Sequence, residues 1–292
     1  MVFVNTEKIS KRQNEERILK MQFVARDYFN LAERYNYLSW IMCIVVSLFV
    51  LLPDKTNSLF STIIPVTIDF LTFVAVYLVS KYVTKAAKLR NYVDSYILDI
   101  GIENYSDSKK IDMFNIVNKH FSKNYDRGMI QIHNTGFDNP PGVKDWYDVS
   151  RPLEGAQAQF ECQRQNIWWN GEVVKKRIIT SFIALIFLVL LFALFVLLKF
   201  DVFKLIACFA GVIIKIIERL IENYKYFKIS SEIDGAAKVI EINPSKEQLD
   251  ELQRMINQRR EYIVLEMNFY HKKIASELSK RYRDILMNKQ KF

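Results

Sequence analysis

The stretch Asp145-Trp146-Tyr147-Asp148-Val149-Ser150, followed by Cys162-Gln163-Arg164-Gln165-Asn166-Ile167-Trp168-Trp169-Asn170 and the basic cluster Lys175-Lys176-Arg177, leads into residues 178–198, which carry no charged side chain. As a helix, that last segment is long enough to cross a hydrocarbon core of ~30 Å. Pro152 suits the first turn of a helix, where its missing N–H leaves nothing unsatisfied, and no proline follows before the apolar run. The spacing predicts one helix over 153–198, joining a soluble motif to a membrane span without a break.

Three further apolar runs, 37–52, 59–80 and 202–217, complete a pattern of two pairs separated by long charged segments. Tyr37 and Trp40 mark an interface for the first run, Pro53-Asp54-Lys55 makes its turn, and Lys199-Phe200-Asp201 makes the tight turn of the second pair. The expected fold is an all-α membrane protein: four transmembrane helices as two hairpins, 37–80 and 178–217, with a mainly helical cytosolic domain between and after them. The cytosolic parts are an amphipathic helix at 1–36, a sensor or coupling region at 81–177 and a C-terminal helical region at 218–292. Lys20, Arg26 and Arg34 precede the first span and Lys81, Lys85, Lys88 and Arg90 follow the second, whereas their connection holds only Lys55. Lys215, Arg219, Lys225 and Lys228 mark the return of the fourth. Positive charge on the inner side places both termini in the cytoplasm.

The totals agree with this division. The chain has 292 residues, 50% hydrophobic and 25% charged, which excludes a disordered or collagen-like polymer. Its 41 basic and 32 acidic residues give a net charge of +9, with the excess beside the apolar runs, so headgroup and orientation effects account for it better than polymeric DNA or RNA does. Cys43, Cys162 and Cys208 form no C-x-x-C pair and fit no metal spacing, and two of them fall inside expected spans, against a disulfide framework. No cleavable signal peptide is evident ahead of the first run.

Asp-Trp-Tyr-Asp-Val-Ser, then Cys-Gln-Arg-x-Asn-x-Trp-Trp, then basic residues and a span, resembles the signature of the SMODS-associated four-transmembrane (S-4TM) effectors of bacterial anti-phage systems. Where the family pattern has an acidic residue after the tryptophan pair, this chain has Asn170, which removes a charge there. The resemblance implies a bacterial inner-membrane, multi-pass, pore-forming effector. It also implies activation by a cyclic di- or trinucleotide from a partner cyclase, homo-oligomerisation and no bound cofactor. A non-conducting membrane scaffold that recruits a soluble partner is the alternative.

Elsewhere the chain reads as helix. Residues 6–36 place Ile18, Phe23, Tyr28 or Phe29, Leu31 and Tyr35 among charged residues, with Ser10 and Gln13 resembling a capping box; packing on the soluble part is favoured over lying on the membrane. Helical spacing continues over 82–103 and 108–122. Glycines and Asn139-Pro140-Pro141-Gly142 then break regular structure, and Met129-Ile130-Gln131-Ile132-His133 suggests a short strand. After Pro244, Ser245 and Gln248 form a second capping box, and Leu249, Leu252, Ile256, Ile263, Met267, Tyr270, Ile274, Leu278 and Ile285 give a seam for packing within the chain or between subunits.

No P-loop, H-E-x-x-H, G-x-S-x-G or G-x-G-x-x-G occurs, and His120, His133 and His271 lie far apart in sequence, so no catalytic or metal site is expected. Two constellations remain. Asp69, inside an apolar run, is expensive against lipid and must face a partner, a nearby Thr67 or Thr72 hydroxyl, or a polar path. Asp145, Trp146, Tyr147, Asp148, Ser150 and Arg151 form a candidate ligand-binding or gating loop, joined by Gln163, Arg164, Asn166, Trp168 and Trp169. Arg164 and Trp168 share one helical face, and Asn166 and Trp169 another. Arginine can grip a phosphate, Gln and Asn can read base edges and an indole can stack on a base. The same residues can equally pack a soluble domain, with Arg164 paired to Glu161 or Asp148.

Overall fold

The structure, a computed structural model, describes residues 5–49, 58–149, 152–262, 265, 277, 278, 281, 282 and 284, with the backbone alone for 58–62. Among these the chain is helical: α1 (Thr6–Gln13), α2 (Glu16–Phe49), α3 (Ser58–Leu98), a single 3-10 turn (Ile102–Asn104), α4 (Asp107–Lys123), α5 (Tyr125–His133), α6 (Gly155–Leu197), α7 (Val202–Ile240) and α8 (Lys246–Glu261).

α6 is the helix that the opening stretch predicts, running unbroken from the soluble motif into the apolar segment. It ends because Lys199 adopts a left-handed φ of 63° and the Phe200 amide turns back to the Phe195 carbonyl at 3.1 Å. Asp201 then caps α7 by accepting from the Lys204 amide at 3.0 Å. α2 lies along α3 and α6 along α7, and contacts between α2 and α7 join the two pairs.

Among the described residues two helices, α3 from Ile63 and α6, are long and apolar enough to cross a membrane, rather than the four expected. For the other two the reasons are local. The described part of α2 ends at Phe49, and the Pro53 turn lies outside the described residues. In α7, charged residues among Lys204, Lys215, Glu218, Arg219 and Glu222 interrupt its apolar run. Even so, α2 shows inverted amphipathicity. Leu38, Ile41, Ile44, Val45 and Leu48 of α2 are exposed, whereas Ser39, Met42 and Ser47 are buried. Gly211 of α7 brings its backbone close to the Ser47 and Cys43 side chains. Small and polar groups inside with apolar groups outside is how helices pack in lipid, where the surroundings are as apolar as leucine. Exposed Phe70, Phe73, Phe182, Phe187, Leu190 and Phe203 extend the belt well beyond what water tolerates on a soluble surface.

The opposite ends of these helices build a conventional core. Ile18 and Phe23 of α2, Val93 and Ile97 of α3, Phe160 and Ile167 of α6, Ile233 of α7 and Leu249 and Leu252 of α8 are buried together. Each large apolar side chain contributes about 1.5–3 kcal/mol on leaving water. The N-terminal amphipathic helix thus packs on this core.

Three local expectations are corrected. The 6–36 segment is two helices: Asn5, not Ser10, caps α1 through the Lys8 amide at 2.9 Å. Asn14 ends α1 by donating to the Ser10 carbonyl and to Asp145. Met129 to His133 belongs to a helix, because a lone strand would leave its backbone groups unpaired, whereas α5 satisfies them and buries Ile132 on the core. The C-terminal helix stops at Glu261, where Tyr262 turns to an extended ψ of 131°. The Ser245–Gln248 capping box is present as read, and Leu249, Leu252 and Ile256 pack within the chain. Ile263, Met267, Tyr270, Ile274 and Ile285 lie outside the described residues.

Candidate functional site

The Asp145 segment forms a strap across α1. Asp145 has φ 52°, a left-handed conformation that Asp tolerates better than most residues, and it exchanges two hydrogen bonds with Asn14: Asn14 Nδ2 donates to its carboxylate at 2.7 Å and its own amide donates to Asn14 Oδ1 at 3.1 Å. Two residues on, Gln13 does the same for the Tyr147 backbone, accepting from its amide at 2.8 Å and donating to its carbonyl at 3.2 Å. The Asp148 amide donates to Gln165 Oε1 at 3.0 Å, tying the strap to α6. Ser150 and Arg151 lie outside the described residues. Beside the strap's end, Thr6, Glu7, Ser10, Lys11, Val149 and Pro152 line an open cleft of about 480 Å³.

Beneath the strap lies a cluster that sequence spacing did not single out, because its members come from α2, α3, α8 and the strap. Tyr147 is 2% exposed, with its hydroxyl turned toward Asp94, itself 1% exposed. Burial first, and the Asp94 carboxylate second, hold the Tyr147 hydroxyl well above its ordinary pKa, so it stays a protonated donor. Arg260 of α8 pairs with Asp94. Burial would lower the Arg260 pKa, and the attraction of Asp94 outweighs it in the raising direction. Arg90, one turn before Asp94, donates to Gln22 Oε1 at 3.3 Å and stacks on the Trp146 ring, 3.8 Å from its centroid. Arg26 donates to the Pro141 and Gly142 carbonyls at 2.9 and 3.0 Å, pinning the loop that precedes the strap. Arg26, Arg90 and Arg260 thus act on one another around Asp94, with positive charge in excess. Trp146, 39% exposed, is the point at which this cluster meets solvent.

The second motif faces α7 and α8. Gln163, buried, donates to the Leu249 carbonyl and to Gln253 Oε1, both at 3.0 Å. Arg164 pairs with Glu241 at the end of α7 and lies 3.8 Å from Glu161, which replaces the pairing with Asp148 considered from sequence. Asn166 accepts from Arg259 at 2.6 Å and Asn170 from the Tyr226 hydroxyl at 3.1 Å. Trp168 packs on Tyr282, and Trp168 and Trp169 both lie against Val173 and Leu278. Gln163, Arg164, Asn166, Trp168 and Trp169 are therefore engaged in holding α6 to α7, α8 and the C-terminal segment, apart from the Asp145 strap. Asp69 stands elsewhere again. It is exposed on α3, within electrostatic reach of Cys43, while the Thr67 and Thr72 hydroxyls are given to the Ile63 and Ile68 carbonyls.

No group of His, Cys, Asp and Glu among the described residues could hold a metal ion. Helices that continue from a packed polar core into an exposed apolar belt define a helical membrane protein. The chain belongs to the SMODS-associating 4TM effector domain family, whose model matches residues 7–286. Neither the curated proteins nor the solved structures give a match.

Proposed function

We propose that the chain is the membrane effector of a nucleotide-signalled anti-phage system. In this reading α2, α3, α6 and α7 all span the bacterial inner membrane, as two hairpins with both termini in the cytoplasm. The chain oligomerises and permeabilises the membrane when a cyclic di- or trinucleotide from a partner cyclase binds its cytosolic core. The observation that carries the reading is continuity: α6 holds Gln163, Arg164 and Asn166 in the cytosolic core and passes without interruption into its apolar segment. A shift of the strap or of α8 is thereby transmitted to a span, provided the ligand favours the shifted arrangement.

The arginines around Asp94 supply the charge that a cyclic nucleotide's phosphates need, and Trp146 offers a ring for a base. Asp69 supports a polar path, since an exposed carboxylate within a span costs about 2.5–3.5 kcal/mol on insertion scales and water along such a path relieves that cost. Dye release from liposomes holding the purified protein tests the reading. One nucleotide of a panel triggers release and Arg90→Gln abolishes it; silence across the panel from inserted, folded protein favours the non-conducting scaffold.

A further inference from the structure

Arg259 of α8 is 0% exposed and its guanidinium points into the junction of α6 and α7, where Nη2 donates to Asn166 Oδ1 at 2.6 Å. Its Nε and Nη1 are buried with no hydrogen-bond partner among the described residues. Leaving donors of a charged group unpaired in a protein interior is costly, so such groups ordinarily have a partner. Two more guanidiniums converge there. Arg177, the last residue of the basic cluster before the apolar segment of α6, lies with its Cζ 5.6 Å from the centre of the Tyr226 ring and feels both Arg219 and Arg259 as like charges. Arg219 of α7 donates to the Leu265 carbonyl at 2.6 Å.

Among the described residues, three carboxylates near this junction are engaged elsewhere. Asp94 is taken by Arg260, Glu172 by Lys175 and Arg281, and Glu277 by Lys176. Glu222 acts on Arg219 from the exposed side of α7. Among the described residues the junction therefore holds more positive than negative charge, at the level where α6 enters its apolar segment. We infer that Arg177, Arg219 and Arg259, with the Tyr226 and Asn166 side chains as walls, form a site for one phosphate group at the cytosolic membrane boundary. Arg177 is half-buried as a residue and Arg259 is buried. Guanidiniums donate strongly to phosphate oxygens, and the Nε and Nη1 of Arg259 are the donors still available for one. The phosphate belongs to an anionic phospholipid headgroup or to a soluble phosphorylated ligand. This site is separate from the Trp146 face proposed for the nucleotide, and its occupancy does not require that proposal.

The test uses the full chain, purified in neutral detergent and phosphate-free buffer, with phosphatidylglycerol, phosphatidylcholine and inorganic phosphate as probes. Thermal midpoint and native mass spectrometry are the readouts. Phosphatidylglycerol is expected to raise the midpoint and to be retained at one molecule per chain, with phosphatidylcholine giving neither. R259Q and R177Q each weaken retention at least tenfold, and Arg259→Lys, which keeps the charge but not the paired donors, falls between. A rise with inorganic phosphate that R259Q and R177Q abolish assigns the site to a soluble ligand. Equal retention by R177Q and the unaltered chain, with R177Q folded by circular dichroism, overturns the site. So does the absence of any Arg259-dependent response to either phosphate source.

Discussion

Asp94→Asn is the sharpest test of the polar core beneath the strap. Asp94 is 1% exposed and its carboxylate pairs with Arg260 while attracting Arg90, which is 8% exposed. The amide keeps the shape but removes the charge, leaving two interior guanidiniums without the carboxylate that offsets them. Breaking a buried pair from one side costs about 3–5 kcal/mol, which lowers the folded-to-unfolded ratio by roughly two to four orders of magnitude. An exposed pair would cost about 1 kcal/mol or less and would respond to salt. Denaturant unfolding of the detergent-solubilised protein, followed by circular dichroism, separates these cases. Arg260→Met added to Asp94→Asn should recover part of the loss, because the second change removes one uncompensated charge. A single-variant cost below about 1 kcal/mol, or simple additivity in the double variant, would refute the reasoning.

Other consequences are as direct. Gln13→Ala leaves the Tyr147 amide and carbonyl unpartnered and should destabilise by about 2 kcal/mol, with fast hydrogen exchange confined to the strap. Asp27, buried against α4 and α5, would have its pKa raised by burial alone, but hydrogen bonds to His120 at 2.6 Å and Arg127 at 2.8 Å hold it below the ordinary 3.8. Its folded pKa being the depressed one, the stability it contributes is present above the unfolded value and is lost as pH falls below about 4. Asp27→Asn should flatten the acid limb of a stability–pH curve. Gly142→Ala drives a methyl onto the Asn134 carbonyl, displaces the loop held by Arg26 and should lower the thermal midpoint by several degrees. Asp69→Asn should leave assembly intact while abolishing nucleotide-triggered dye release; unchanged release would remove Asp69 from the path.

Apolar run length, charge flanks and the absence of catalytic signatures are local properties, so the sequence by itself determined the helical membrane class, the unbroken α6 and the Ser245 cap. It could also mark the Asp145 and Cys162 motifs as special, since their residue types are unusual together. What each side chain does depends on groups distant in the chain. Gln13, read as half of a capping box with Ser10, forms with Asn14 the clamp for Asp145 and Tyr147, more than 130 positions away. Arg90, read as a charge flanking a span, meets Asp94 and Arg260 only because α8 folds back onto α3. The same holds for Met129 to His133, whose apolar alternation fits a strand until Ile132 finds a core to pack on. Periodicity reports which face of an element is apolar; the partner of a polar group is set by tertiary packing, because burial without one is too costly to persist.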